Sequence, residues 1–173
     1  MALETTEIQE KVVATFDNNV FNFQQEKDIF SFEMNADKNT AVILFLKNDP
    51  TLRFHFLTDL CAIHYPDNEE NRQFAVVYHL HNWYENKRIK IKAFINGSNP
   101  EIKTISNIFL SSNWMERETY DFFGINFIGH PQLKRILNMD EMISFPMRKE
   151  FPMEDSGRTD KDDRYFGRTT INQ

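Results

Sequence analysis

The chain has 173 residues, of which 40% are hydrophobic and 17 are Phe, and its formal net charge is -6 at pH 7. That length suits one ordinary domain with a real core plus a tail, and the aromatic load excludes a disordered chain. The acidic balance argues against nonspecific nucleic-acid binding, which needs a basic face, and the single cysteine, Cys61, excludes an internal disulfide and fits a reducing compartment. The longest uninterrupted apolar run is Ala41 to Leu46, far short of the about 20 residues that a membrane-spanning helix needs. The N-terminus MALETTEIQEK lacks the basic start and apolar core of a secretory signal, so the chain is expected to stay in the cytoplasm.

Residues 4 to 16 predict an amphipathic helix with Ile8, Val12, Val13 and Phe16 on one side, closed by Asp17-Asn18-Asn19. Asp28 to Met34 alternates, with Phe30, Phe32 and Met34 on one face, as a half-buried strand does. Ala36 to Asn48 is ambiguous: its AVILFL core suits a buried strand, but its length, a candidate Asp37 cap and the Asp49-Pro50 stop favour a helix. Leu52 to Tyr65 predicts a turn followed by a strand, and a polar loop comes next. Phe74, Val76, Tyr78 and Leu80 then alternate with polar or small residues, and Arg88 to Ile95 supplies the second strand of a hairpin. On that second strand Arg88, Lys90 and Lys92 share one face, which reads as solvated.

Asn96 to Pro100 is a turn, and Pro100 or Glu101 is expected to open the helical region that leads to a helix over Asn107 to Phe123. Gly124 ends that helix, because glycine takes positive φ without a Cβ clash. Beyond it, Gly129, His130-Pro131, Phe145-Pro146 and Phe151-Pro152 keep resetting the backbone. The expected form is a partly extended arm with one short helix near Gln132 to Asn138. Its Phe127, Ile128, Leu133, Ile136, Leu137, Phe145 and Phe151 must lie against the domain or another subunit. The predicted class is α/β of the α+β type, a small, mainly antiparallel or mixed sheet packed with helices. Residues 1–123 would form the domain, 124–152 an extended partner-binding arm and 153–173 a charged tail. In the tail, Tyr165-Phe166-Gly167-Arg168 reads either as an anchor for a partner or as an aromatic pair folding back.

One cysteine cannot supply the four thiolates of an iron-sulfur cluster, and the five glycines nowhere form a dinucleotide-binding turn. No cofactor, metal or catalytic residue is therefore expected in this chain. His79 and His81 point the same way on a strand, as two metal ligands would, but a third ligand is missing and a solvent-facing or hydrogen-bonded pair is the expectation. Glu116, Arg117, Glu118 and Asp121 would suit a paired-carboxylate acid and base site. Arg117 and Asp121, however, are four apart on a helix and can pair. A carboxylate among aromatics needs a cation, which Arg135, Arg148 or Lys149 would bring from the arm. The cluster reads as a clamp fixing the arm to the helix, and His130 as a hydrogen-bonded turn residue.

The densest stretch, Trp114 to Pro152, carries Glu116-Arg117-Glu118, then Tyr120-Asp121-Phe122-Phe123-Gly124-Ile125 and Phe127. Gly129-His130-Pro131, Leu133-Lys134-Arg135-Ile136-Leu137 and Pro146-Met147-Arg148-Lys149 come after them, before Phe151-Pro152. This order of residues resembles the 30 kDa subunit, also called the C subunit, of respiratory NADH:quinone oxidoreductase, complex I. With RFHFLTDLCAIHYPD and FAVVYHLHNW upstream, the resemblance covers roughly residues 28 to 152. Met142 and Ser144 depart from it, where the family usually has Trp and Gly. The resemblance implies a compact α/β domain and a cofactor-free subunit of the peripheral arm of a proton-translocating complex. FMN and iron-sulfur clusters would sit in partner subunits, with NADH and quinone as substrates of the whole. The implied partners are the D subunit (49 kDa-like) and the I subunit, on the cytoplasmic side of the bacterial inner membrane. Signature residues for partner binding are then Glu116, Arg117, Glu118, Tyr120, Asp121, Phe122, Gly124, Gly129, His130, Pro131, Arg135, Pro146, Arg148, Lys149 and Pro152. Equivalent subunits occur in ferredoxin-dependent quinone reductases and membrane-bound hydrogenases, and a free-standing binding module is the alternative of another class.

Overall fold

A computed structural model describes residues 3–27 and 29–151. In chain order they form α1 (Thr5–Phe16), β1 (Val20–Glu26), β2 (Ile29–Asn35), α2 (Asn39–Asn48) and β3 (Phe56–His64). The remaining elements are β4 (Phe74–Asn82), β5 (Lys87–Ile95), β6 (Glu101–Lys103), α3 (Ser112–Phe123) and β7 (Asn126–Ile128). Pro152 and the tail, with Tyr165-Phe166-Gly167-Arg168, lie outside the described residues.

Five strands make one mixed sheet in the order β1-β2-β5-β4-β3, antiparallel except where β2 runs parallel to β5. The alternation of apolar residues fixes the register. Phe30 sits beside Ile89, Phe32 beside Ile91 and Met34 beside Ala93, while β4 sets Leu80 and Tyr78 on the far side of Ile89 and Ile91. Slipping any of these strands by one residue would turn its apolar set toward water. Ile8 and Val12 of α1 and Val42, Ile43 and Leu46 of α2 are buried in the same core. The class is thus α+β with a mixed sheet, as the alternating segments predict.

Several boundaries differ for identifiable reasons. The strand β1 escapes pattern reading because a register shift falls between Phe21 and Gln24, with Asn22 at φ 53, and the period of two is lost. Val13 is 39% exposed, so the buried side of α1 is narrower than expected. The region from Pro100 is not helical at its start. Glu101 to Lys103 pairs in parallel with β7, and α3 is the crossover that a parallel pair requires. The helix accordingly begins at Ser112 rather than Asn107, after a series of tight turns in which Ile108 N–H donates to Ile105 O and Ser112 N–H to Phe109 O.

Phe32 is 1% exposed and packs beside Phe23 and Phe30. Phe32→Ala should cost about 3 to 5 kcal/mol in urea denaturation, since the cavity cannot collapse between paired strands. Val13→Ala should stay within about 0.5 kcal/mol. Equal losses for the two variants would show that this assignment of the core is wrong.

Candidate functional site

A helix leaves its last four carbonyls without partners inside the helix. In α3 all four are met by residues beyond its C-terminus. Gly124, at φ 71, donates its N–H to Tyr120 O at 2.8 Å. Arg135 Nη1 donates to Asp121 O at 3.0 Å, Met147 N–H to Phe122 O at 3.1 Å and Arg148 Nε to Phe123 O at 2.7 Å. Residues as far as 25 positions downstream therefore cap this helix end.

Asp121 forms the centre of the arm's attachment. Its Oδ1 accepts from Arg135 Nη1 at 2.7 Å and from Asn138 Nδ2 at 3.1 Å. Its Oδ2 accepts the N–H groups of Ile136 at 3.1 Å, Leu137 at 2.8 Å and Asn138 at 2.9 Å. Those three N–H groups would otherwise have to find carbonyls within a helix. This is why no short helix forms near Gln132 to Asn138, contrary to the reading of the sequence. Burial alone would raise the Asp121 carboxyl, but the donors from Asn138, Leu137, Ile136 and Arg135 outweigh it and hold the group well below the usual carboxylate range.

Arg117 does not pair with Asp121 four residues on, as helical spacing suggests. Its Nε and Nη2 donate to the carbonyls of Lys134 and Arg135 at 3.2 and 3.1 Å, and its guanidinium lies 4.9 Å from the exposed Trp114 ring. Two arginines thus hold the arm from opposite sides: Arg117 reaches from helix to arm, and Arg135 from arm to helix. Arg135 also donates to Met142 O and Ser144 O, so these two positions are held through their backbones. Farther along, Arg148 lies between the rings of Phe145 and Phe74, at 4.8 and 5.1 Å. Tyr120 packs edge-on against Phe145 at 6.1 Å. Lys149 contributes its backbone, donating N–H to His64 Nδ1 at 3.0 Å, while His64 stacks on Phe74 at 4.4 Å. Sequence reading missed His64 and Asn138, which carry no signal apart from their contacts.

Glu116 has the opposite surroundings. It is fully buried, Oε1 accepts Ile105 N–H at 2.8 Å and Oε2 accepts the Thr104 hydroxyl. His130 Nε2 is 4.0 Å away but supplies no charge. Gln132 N–H donates to its Nδ1, so the ring proton sits on Nε2 and goes to Asn113 O at 3.1 Å. Burial pushes the Glu116 carboxyl up, against the hydrogen bonds from Thr104 and Ile105. The other signature residues lie apart from this pair. Glu118 is exposed and, with half-buried Phe122, lines a cleft of about 330 Å³ that also holds Asp59, Cys61 and Met147. Burial and the Asp59 and Glu118 carboxylates push the Cys61 thiol up, which suits an inert thiol. Gly129, at φ 83, leads into the turn of His130 and exposed Pro131, and Pro146 is exposed before Met147. Among the described residues no group of three or more His, Cys, Asp or Glu could hold a metal ion. His81 instead meets Asn86 Oδ1 at 3.2 Å, and His79 faces Asp59 at 3.9 Å. The arrangement fixes an arm; it does not converge on a reacting atom.

Two titrations test this geometry with opposite signs. The depressed Asp121 carboxyl stabilises above its ordinary value of 3.8, and that stability is lost as pH falls through the folded value. Asp121→Ala leaves Arg135 enclosed and unpaired, and should cost about 3 to 5 kcal/mol, seen in part as rapid tryptic cleavage in the arm. An arm as protease-resistant as wild type would refute the clamp. The raised Glu116 carboxyl stabilises fully below its ordinary value of 4.5, and its contribution disappears as pH rises through the folded value. Glu116→Gln should remove this part of the pH dependence, which lies above pH 4.5, and be at least as stable wherever the wild-type carboxyl is ionised. Parallel stability curves for the two proteins would contradict the assignment.

Comparison with known proteins gives this arrangement a family. The family model described as respiratory-chain NADH dehydrogenase, 30 Kd subunit, matches residues 32–157. The second C subunit of the NADH-quinone oxidoreductase of Rhizobium meliloti (strain 1021) is 36% identical over 143 residues, 82% of this chain and 76% of that protein. The NADH-quinone oxidoreductase C subunit of Roseiflexus sp. (strain RS-1) is 33% identical over 168 residues, 96% of this chain and 95% of that protein. Two solved structures share the fold. The trypsin-resistant Nqo5 fragment (1-134) has a TM-score of 0.62 at 24% identity, covering 74% of this chain and 98% of that one. A chain of the membrane-bound sulfane sulfur reductase, an archaeal respiratory membrane complex, has a TM-score of 0.73 at 19% identity, covering 97% and 94%. The chain belongs to the family of the 30 kDa subunit of respiratory-chain NADH dehydrogenase.

Proposed function

We propose that the chain is a cofactor-free subunit in the peripheral arm of a proton-translocating NADH:quinone oxidoreductase, on the cytoplasmic side of the bacterial inner membrane. It holds the D subunit (49 kDa-like) and the I subunit in place near the quinone-reducing end. Electrons from NADH pass through FMN and iron-sulfur clusters of those and other subunits, and this chain itself is non-catalytic. No helix among the described residues is long and apolar enough to cross a membrane, so attachment to the membrane is through the complex.

The observation that carries this reading is the arm. It is fixed to α3 by buried polar contacts, yet it turns Leu137, Met139, Ile143 and Met147 outward, and Ile143 is 96% exposed. Fixing a segment in this way reduces the ordering cost of binding and leaves its apolar side chains available to a partner. The likeness to a chain of the sulfane sulfur reductase complex shows a shared fold, and a fold by itself does not choose the electron donor. The family match favours NADH.

Ile143 lies almost wholly in solvent, so Ile143→Glu should change the stability of the free chain by no more than about 0.5 kcal/mol. The same change should strongly reduce incorporation into the large complex, and quinone-linked NADH oxidation by membranes should fall in proportion. Thermal denaturation and native gels of one variant read both halves. Normal assembly of that variant would remove the arm from the docking role.

A further inference from the structure

A second surface lies at one end of the sheet, where the β1–β2 and β4–β5 turns meet. Register places Glu26 beside Ile29 and Arg88 beside His81, with Phe56 beyond, across the face that points away from the core. A basin of about 910 Å³ opens there, lined by Glu26, Lys27, Ile29, Asn86, Arg88 and Lys90. The β4–β5 turn, which supplies Asn86 to this lining, also carries two aromatic residues. Trp83 packs edge-on against Phe56 at 5.5 Å and over His81 at 5.4 Å, and Tyr84 lies under the Arg53 guanidinium at 4.6 Å. Trp83 and Tyr84 are nonetheless 65% and 70% exposed.

The turn that presents these rings is held firmly. Asn82 is fully buried, donates to Leu52 O at 2.8 Å, and accepts the N–H groups of Tyr84 and Glu85 at 2.9 and 3.2 Å. Exposed Trp, Tyr and Arg on a pre-ordered turn are the residue types that dominate interface energies. Charge defines the partner. Among the residues that line the basin, Lys27, Arg88 and Lys90 outnumber Glu26, in a chain whose net charge is -6. Glu26 and Lys90 pair with each other at 3.1 Å, which leaves Lys27 and Arg88. Lys87 and Arg88 form no ion pair among the described residues. The excess is local and concave, so it suits a narrow acidic segment with side chains to insert, rather than a flat anionic surface.

We infer that this basin and the aromatic β4–β5 turn that borders it at Asn86 dock a carboxylate-rich segment of another protein subunit, separately from the arm. The inference rests on the proposed function, in which the chain works inside a multi-subunit assembly. Tyr84 replaced by the photoreactive benzoylphenylalanine, in the full chain assembled in cells, tests it. Illumination should join position 84 to a peptide of a different chain in which Asp and Glu outnumber Lys and Arg. Adding Arg88→Glu should lower that yield at least fivefold while the thermal midpoint of the free chain stays unchanged. A yield unaffected by Arg88→Glu would overturn the inference. So would adducts only to lipid, to a neutral or basic peptide or to a second copy of this chain, or no adduct in a complex that contains the chain. Failure of the wild-type chain to enter a large complex would instead defeat the proposed function, and the cross-linked peptide in the smaller species would decide this surface by the same criterion.

Discussion

The carboxylate of Asp121 is the contact on which the arm depends. It is fully buried and satisfied by five donors, one of them a guanidinium. A buried carboxylate without such partners would be prohibitively costly, so the chain from Arg135 to Asn138 has little freedom to lie elsewhere. That single constraint sets the start of the arm. Met147 and Arg148 then close it by meeting the carbonyls of Phe122 and Phe123. Helix, glycine cap and arm form one hydrogen-bonded unit, although the arm contains no regular helix.

Five residues earlier on the same helix, Glu116 shows how surroundings divide two acids. Asp121 faces a guanidinium and a row of N–H groups; Glu116 faces a hydroxyl, one N–H and an imidazole whose proton is committed to Asn113 O. The first is held ionised and the second is pushed toward its protonated form. Neither is free for acid and base work on a substrate. The first is saturated, and the second is sealed beneath Thr104, Ile105 and His130. What looks in sequence like a paired-carboxylate site is one clamp and one buried joint between α3 and the β6–β7 pair.

The legible parts were those governed by short-range periodicity. The β4–β5 hairpin alternates cleanly, α2 stops before Asp49-Pro50 although Asp37 does not cap its start, and Gly124 ends α3 as a left-handed cap. Where a long-range contact decides the local form, the pattern misleads. The residues from Ile136 to Asn138 have helical character in sequence, but their N–H groups are taken by a side chain 15 to 17 positions away. The start of α3 was misplaced for a similar reason, because Glu101 to Lys103 reads as the run-up to a helix until β7 arrives to pair with it. The charged residues of the signature were readable as a clamp, whereas their partners His64 and Asn138 were not. A solitary His on a strand and an Asn in a turn fit too many contexts.

This use of the charges also changes what the outer surface offers. Arg117, Arg135 and Arg148 all spend their guanidinium groups on carbonyls, carboxylates and rings of their own chain. The exposed cations of the arm are Lys134 and Lys149. In the proposed function, recognition along the arm falls mainly to its outward apolar side chains, which supply area but little selectivity. Lys87 and Arg88 at the start of β5 form no ion pair among the described residues, and they sit at the end of the sheet. An assembly that must set several large subunits in a fixed orientation needs contacts at more than one point, because a single patch leaves rotation about itself unresisted. In the proposed function, a rigid domain with an apolar arm and a separate basic corner meets that mechanical requirement.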